Sequence, residues 1–341
     1  MVGQAWLHLL APHLFGGGDM IVYLAGGISG NLNPQWRVCS DKMRSGTPFP
    51  IAKQEAQDWF LGGKNEDVPC EPAHAPEIRV GQQLAQELIG GSFDNLPRRE
   101  HDVPSLYRSD AERGGFSEPY ILESFFYADE DTERLIPHFG DFMLDSGAFT
   151  FMENAKIKAD FDEYLERYAE FINRNKVDKF FELDIDSVVG YDKVKRMRSR
   201  LEALTGKQCI PVWHSTRGIA DFEAICKDYP YVALGGIVGK EWKESHEKYM
   251  PWFISKAHEH GAKIHGLGYT KLSKLPLYHF DSVDSTAWTT GNRFGYIYRF
   301  DGRTMKKIDC PKGKRLADSR KVAMINYLEW VKFQKYAENN L

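Results

Sequence analysis

The chain has 341 residues, 42% apolar and 27% charged, with 44 basic against 48 acidic side chains and a formal net charge of −4. This is the composition of a folded globular chain and excludes a disordered or collagen-like one. It also excludes a polycation, so any contact with a polynucleotide must use a local basic face. No stretch approaches the ~20 apolar residues of a membrane span.

The first 19 residues are apolar in patches but lack a basic leader, and they read as an N-terminal extension, neither signal peptide nor anchor. Residues 20–341 read as a single catalytic domain. It opens with "MIVYLAGG" (20–27), a short apolar run ending in glycine. Residues 31–119 then change texture: nine prolines and many Gly, Asn and Asp mark a large irregular insertion, with helical spacing only over Gly81 to Ile89. After it the rhythm is regular. "YILESFFY" (120–127), "DFMLDSGAF" (141–149), "KFFELDID" (179–186), "CIPVWH" (209–214), "YVALGGI" (231–237), "KIHGLGY" (263–269) and "HFDSVDS" (279–285) are short apolar runs of the kind that form strands buried on both faces. Helical spacing fills most gaps: Phe161, Tyr164, Leu165, Tyr168, Ala169 and Ile172; Val194, Met197, Leu201 and Leu204; less cleanly, Trp252, Ile254 and Ala257; and finally Met324, Tyr327, Leu328 and Val331. Only Lys271–Leu277 is available for a helix between the last two strands.

Eight strands alternating with helices predict an α/β fold, a (β/α)8 TIM barrel with a large insertion after its first strand. Without residues 31–119 the chain keeps 252 residues, close to the ~250 typical of such barrels. The five cysteines are far apart, the closest pair being Cys209 and Cys226, 17 residues from one another. That odd count and wide spacing argue against a disulfide framework and point to a reducing, cytoplasmic location.

In this fold, side chains at the C-terminal ends of strands face the active site. Those ends carry Glu123, Asp145, Asp184, Asp186, His214, His265, Asp281 and Asp284, together with Gly235, Gly236, Gly266 and Gly268. One Asp at a strand end is commonly a helix cap. Acids on at least four strand ends are harder to dismiss, because converging carboxylates repel. Two chemistries use them. One is a divalent metal site in which His214 and His265 join Asp145 and Asp184. The other is glycosyl transfer with a carboxylate nucleophile and a separate acid/base. The bare backbone of "LGGIVGKE" and "HGLGY" allows a flat ligand to approach, although tight βα turns also need glycine.

"LDSGAF" (144–149), "FELDID" (181–186), "LGGIVGKE" (234–241), "HGLG" (265–268) and "FDSVDST" (280–286) occur in the order found in tRNA-guanine transglycosylases, and the chain resembles that superfamily over residues 120–295 and the first strand. The spacing and the "SVDST" ending more closely resemble its phage and bacterial branch, the DNA-guanine transglycosylases. The resemblance implies a base-exchanging pentosyltransferase that replaces guanine in DNA with a 7-deazaguanine of the cyano- or aminomethyl-substituted kind, through a covalent Asp–deoxyribose intermediate. It implies Asp145 as general acid/base and Asp184 and Asp186 as receptors of a guanine-like edge. It places Gly235 and Gly236 near the base carbonyl, and His265 and Gly266 beside the base plane. His214 stands where the tRNA enzymes have glutamine. For the nucleophile, the interval from Gly268 favours Asp284, whereas the likeness of "FDSV" to "FDCV" favours Asp281. Residues 281 and 284 are an odd number apart, so on a regular strand only one of them points inward.

The tRNA enzymes hold zinc with three cysteines and a histidine after the last strand. Residues 286–341 contain Cys310 and no histidine, so that zinc site is absent and no cofactor is expected. The implied partners are DNA, single-stranded or with the guanine flipped out, and a free 7-deazaguanine base, with no membrane; pairing into a homodimer stays open. For phosphates, residues 303–321 hold eight Lys or Arg against two Asp. This basic C-terminal segment (302–321) reads as an irregular loop at the barrel mouth, where Lys306, Lys307, Lys312, Lys314 and Arg315, with Arg293 before them, meet the backbone. Trp288 and Tyr296 read either as stacking platforms or as buried rim residues. The run of five basic residues at 193–200 reads as a solvated helix face or a second basic patch. The competing functions are the same exchange on tRNA, a metal-dependent barrel hydrolase, and nucleic-acid binding without catalysis.

Overall fold

The computed structural model describes residues 20–26, 34–62, 70–72, 119–147, 150, 160–237, 244–269, 271–309, 314–316 and 319–341. In chain order these form β1 (Ile21–Ala25), α1 (Pro34–Arg44), α2 (Phe49–Gly62), β2 (Cys70–Pro72), β3 (Tyr120–Ser124), α3 (Glu130–Leu135) and β4 (Asp141–Asp145). Next come α4 (Phe161–Asn175), β5 (Lys179–Phe180), α5 (Asp186–Val189), α6 (Tyr191–Thr205), β6 (Val212–Trp213), α7 (Ile219–Asp228), β7 (Tyr231–Leu234), α8 (Met250–Glu259) and β8 (Lys263–Gly266). The remainder is α9 (Leu275–Tyr278), β9 (Ser282–Ser285), α10 (Ala287–Phe294), β10 (Tyr296–Phe300), β11 (Met305–Asp309), β12 (Lys314–Leu316) and α11 (Ser319–Asn340).

Each of the eight apolar runs contains a strand, and these strands are hydrogen-bonded in the order β5-β4-β3-β1-β9-β8-β7-β6. A parallel bridge between Phe181 and Ile210 joins the two ends of that order. There, Ile210 N–H donates to Phe180 O at 2.8 Å and Glu182 N–H to Ile210 O at 3.1 Å. Strand neighbours therefore follow chain order all the way round, which is (β/α)8 topology. The strands are short but nearly all buried on both faces, and this is why they read as continuous apolar runs rather than alternating ones.

The chain divides into two compact units. One draws on residues up to 23, 148–285 and 333–341. In it, α4 starts where the Asp160 carboxylate accepts the N–H groups of Asp162 and Glu163 at 3.0 and 3.2 Å, and stops at Lys176, which turns left-handed at φ 54°. Its stripe of Tyr164, Leu165, Tyr168, Ala169 and Ile172 is buried as the 3.6-residue period requires. The basic run on α6 is largely committed to ion pairs: Arg200 to Asp162 at 3.3 Å, Lys193 to Asp162 at 3.7 Å and Lys195 to Asp192 at 2.9 Å, while Arg198 is buried. It behaves as an ion-paired helix face. The short connection between the last two barrel strands is a 3-10 turn at Leu272–Lys274 followed by the single-turn α9.

The other unit draws on residues 24–147 and 286–332. Residues 34–62 of the insertion are helical, against the irregular texture expected of them. α1 and α2 lie where no helix was expected, whereas Gly81–Ile89 lies outside the described residues, as does the extension 1–19. Pro34 and Pro50 mislead because each occupies the first turn of its helix, where the missing N–H costs nothing. Ala52 and Ala56, four residues apart on α2, pack with Cys39 of α1. Trp36 Nε1 donates to Tyr327 Oη at 2.9 Å, and Ser40 Oγ to Asp131 Oδ1 at 2.8 Å.

The basic segment is not the irregular loop expected. β10 and β11 form an antiparallel hairpin, with Tyr296 opposite Asp309 and Phe300 opposite Met305. β12 pairs antiparallel with β2 of the insertion. The side chains of Asn326 and Glu329 on α11 accept the N–H groups of Tyr298 and Phe300, both at 2.6 Å, and so dock the helix on β10. Among the described residues no helix is long and apolar enough to cross a membrane.

Candidate active site

Asp281 and Asp284 sit at the start and near the end of the same strand segment and point opposite ways. Asp281 Oδ2 accepts from His258 Nε2 of α8 and from Ile264 N–H, each at 2.8 Å. It thus turns toward the helical layer. Asp284 is 6% exposed and faces His265. His265 Nε2 donates to Asp284 Oδ1 at 3.1 Å, and Gly268 N–H donates to the same oxygen at 2.6 Å. Among the described residues Oδ2 of Asp284 has no hydrogen-bond partner. A carboxylate with two donors on one oxygen keeps its other oxygen for a ligand.

His265 was expected beside a base plane. Its ring is wholly buried, 5.4 Å from the ring of Phe181 and 6.1 Å from that of Tyr23. Its Nδ1 is hydrogen-bonded to Ser282 Oγ, which also pairs with Tyr231 Oη. Its observed position makes it a partner of Asp284. Gly266, placed with it by the resemblance, is buried in the β8 ladder opposite Val283, and an added Cβ would stand 3.2 Å from the Phe280 ring.

A second cluster lies at the ends of β5 and β6. His214 Nε2 contacts both oxygens of Asp184, at 2.9 and 2.7 Å. Arg217, on the Ser215–Arg217 turn that follows β6, reaches Asp186 Oδ2 at 3.0 Å, Glu182 Oε1 at 3.1 Å and Asp184 Oδ1 at 3.3 Å, and also bonds Val212 O. Its guanidinium lies 4.2 Å from the Tyr191 ring centroid. Glu182 is also held by Arg198 at 2.6 Å and by Val212 N–H at 2.9 Å. Burial alone would make both guanidiniums easier to deprotonate. The facing carboxylates outweigh it and hold Arg198 and Arg217 above the usual arginine value. The arginines explain how three acids coexist on one strand end: Glu182 is fully buried and compensated, while Asp184 and Asp186 keep side-chain exposures of 19% and 18%. Among the described residues, Asp184, Asp186 and His214 each offer one ligand atom within 4.8 Å of the others, a spacing that fits a metal ion.

Gly235 was expected to show bare backbone to a base. Its N–H donates to Trp213 O at 2.8 Å, and its missing side chain makes room for the His214 ring: a Cβ would stand 2.7 Å from His214 Cε1 and from Val212 Cγ1. Gly236 follows with φ +72°. In the other unit, Asp145 ends β4 and is partly exposed. Its Oδ2 accepts Gly147 N–H at 3.0 Å, the side-chain turn characteristic of Asp two residues before a sharp bend.

The nucleic-acid candidates are dispersed in state. Trp288 and Tyr296 are 2% and 5% exposed, and Trp288 Nε1 donates to Ala25 O at 3.1 Å. They are rim-packing residues and not stacking platforms. On β11, Lys306 is exposed and pairs with Asp301 at 3.0 Å, and the ammonium of Lys307 sits 3.7 Å from the Tyr296 ring centroid. Lys314 and Arg315 lie on β12 and Arg293 on α10, with their side chains outside the described set, and Lys312 lies outside it altogether.

Sequence reading missed Glu182, Arg198, Arg217, Ser282 and Tyr231. Glu182 stood in the quoted "FELDID", where the two Asp drew attention. Arg217 had one usable signal, a lone cation in the "HSTRG" turn directly after a strand end.

No family model matches this chain, and no curated protein matches it. Among solved structures, it is similar to the carboxyl transferase domain of Rhizobium etli pyruvate carboxylase with pyruvate, at 12% identity and a TM-score of 0.35, over 64% of this chain and 41% of that one. The same domain with oxalate gives 12% identity and a TM-score of 0.36, over 69% and 44%. The chain spans less than half the length of those two chains.

Proposed function

We propose that this chain is a DNA-guanine transglycosylase, exchanging guanine in DNA for a free 7-deazaguanine base. The observation that carries the reading is Asp284: a nearly buried carboxylate at a barrel strand end, with Oδ1 held by His265 and Gly268 and Oδ2 without a partner among the described residues. Oδ2 attacks C1′ of deoxyguanosine, the C1′–N9 bond breaks, and guanine leaves with the bonding pair and a proton. The incoming 7-deazaguanine then displaces the carboxylate from C1′, regenerating Asp284 and releasing one proton. The resemblance assigns the proton transfers to Asp145. Asp184 and Asp186, acidic and partly exposed, suit acceptance of the N1–H and exocyclic amine of a guanine edge, with Arg217 aiming both and His214 holding Asp184. The target base is single-stranded or flipped out. The reaction as written needs no metal or redox cofactor, and its setting is the cytoplasm of a bacterium or of a phage-infected host.

Incubation with a guanine-containing oligodeoxynucleotide, followed by denaturing electrophoresis and mass spectrometry, tests this. The chain and its Asp281→Asn variant form a covalent adduct, and Asp284→Asn does not. Offering tRNA in parallel separates the DNA reading from exchange on tRNA. An adduct that survives in Asp284→Asn overturns the assignment.

The Asp184, Asp186 and His214 spacing favours a second reading, a divalent-metal hydrolase. Against it, Arg217 already bonds both aspartates and His214 Nε2 is committed to Asp184. Hydrolysis abolished by chelation and restored by a divalent ion would establish it.

A further inference from the structure

We propose that Tyr231, Ser282 and His265 form a one-way hydrogen-bond chain that selects which oxygen of Asp284 meets the substrate. This rests on Asp284 being the nucleophile, and it adds three positioning residues to that reading. The direction follows from the inventory of donors and acceptors. An ionised carboxylate only accepts, so the contact with His265 at 3.1 Å puts the hydrogen on Nε2. In the neutral ring Nδ1 is then bare and must accept, and its partner is the hydroxyl of Ser282. The Ser282 oxygen in turn accepts from the phenol of Tyr231. Every donor finds one acceptor and no buried lone pair faces another.

The opposite tautomer would aim the Nε2 lone pair at the carboxylate in a place where His265 and Ser282 are both 0% exposed and the rings of Phe181 and Tyr23 flank the imidazole. Water is excluded there and cannot repair the mismatch. Tyr231 and Ser282 are the first residues of β7 and β9, so the chain runs from the N-terminal side of the strands to Asp284 near their C-terminal ends. At that end His265 and Gly268 both bind Oδ1, and the lone pairs of Oδ2 stay on offer. A rotated ring would release Oδ1 and let the carboxylate turn, costing alignment and leaving binding unchanged.

The test is two-bond ¹⁵N–¹H correlation on the full chain labelled in histidine, with the His265 signals assigned by their loss in His265→Gln. The expected wild-type pattern is a neutral ring with protonated Nε2. In Ser282→Ala the two tautomers mix, and adduct formation at saturating DNA slows by at least about tenfold, the scale on which partners that orient a histidine act, with KM unchanged. Tyr231→Phe, which keeps the ring and the Ser282 hydroxyl, shifts the Nδ1 resonance, keeps the tautomer, and serves if Ser282→Ala does not fold. A wild-type ring protonated on Nδ1, or on both nitrogens, overturns the proposal. So does an unchanged Nδ1 resonance in both variants. If the wild-type chain forms no adduct with DNA while its tautomer is as expected, the transglycosylase reading fails and the hydrogen-bond chain stands.

Discussion

The imidazole of His214 lies against bare backbone at Gly235, where a methyl group would stand 2.7 Å from Cε1 and 2.8 Å from Nε2. The same Nε2 bonds both oxygens of Asp184, so this glycine fixes the geometry of an acid on a different strand. Gly235→Ala is expected to push the ring off Asp184 and cost about 1–3 kcal/mol, as overpacking of a filled site does. Denaturant melts measure it, and His214→Ala combined with Gly235→Ala should recover part of the loss.

Asp281→Asn and Asp284→Asn should separate cleanly. Asp281 contacts His258 and the Ile264 amide, so its amide variant is expected to lose about 0.5–1.5 kcal/mol of stability and keep adduct formation. Asp284→Asn should lose adduct formation while its melting temperature changes little. Equal loss of adduct in both variants would remove the distinction.

Arg217 holds three carboxylates with a side chain 2% exposed. Arg217→Met leaves Glu182 fully buried with Arg198 as its remaining cation, and a loss of about 3–5 kcal/mol is expected, the usual result of breaking a buried ion pair by removing one member. Arg217→Lys keeps the charge without the planar fork and should fall between. Urea midpoints of the three proteins check the order.

Acid should loosen the contact between α1 and α3, where Asp131 meets Ser40 and Arg44. Burial opposes ionisation of Asp131, but Ser40, Arg44 and Arg134 outweigh it and hold the carboxyl below its ordinary value of 3.8. Because the folded value is depressed, this stabilisation is complete above pH 3.8 and fades as pH falls through the lower folded value. Asp131→Asn should lack that pH-dependent increment, read from melting temperatures between about pH 2 and pH 5.

The strands and most barrel helices were legible because burial on both faces and the 3.6-residue period leave a local signature. The opposed directions of residues 281 and 284 were legible from the two-residue period of a strand. Arg217 was not, since it reaches the acids from a turn whose path only the fold determines. Nor was the burial of Trp288 and Tyr296, because an aromatic residue beside a basic segment has the same composition whether it stacks on a base or fills a rim. The helices at residues 34–62 were hidden by prolines that lie in first turns, where their usual meaning reverses.

The ladder between β2 and β12, in which Cys70 stands opposite Leu316 and Pro72 opposite Lys314, makes the two segments mutual guards. Proline substitutions at Lys314 and Leu316 would strip β2 of its partner and bare a row of peptide groups able to recruit a neighbouring chain. Poor solubility in such a variant would therefore report a missing seam, because α11 and the barrel strands keep all their own residues.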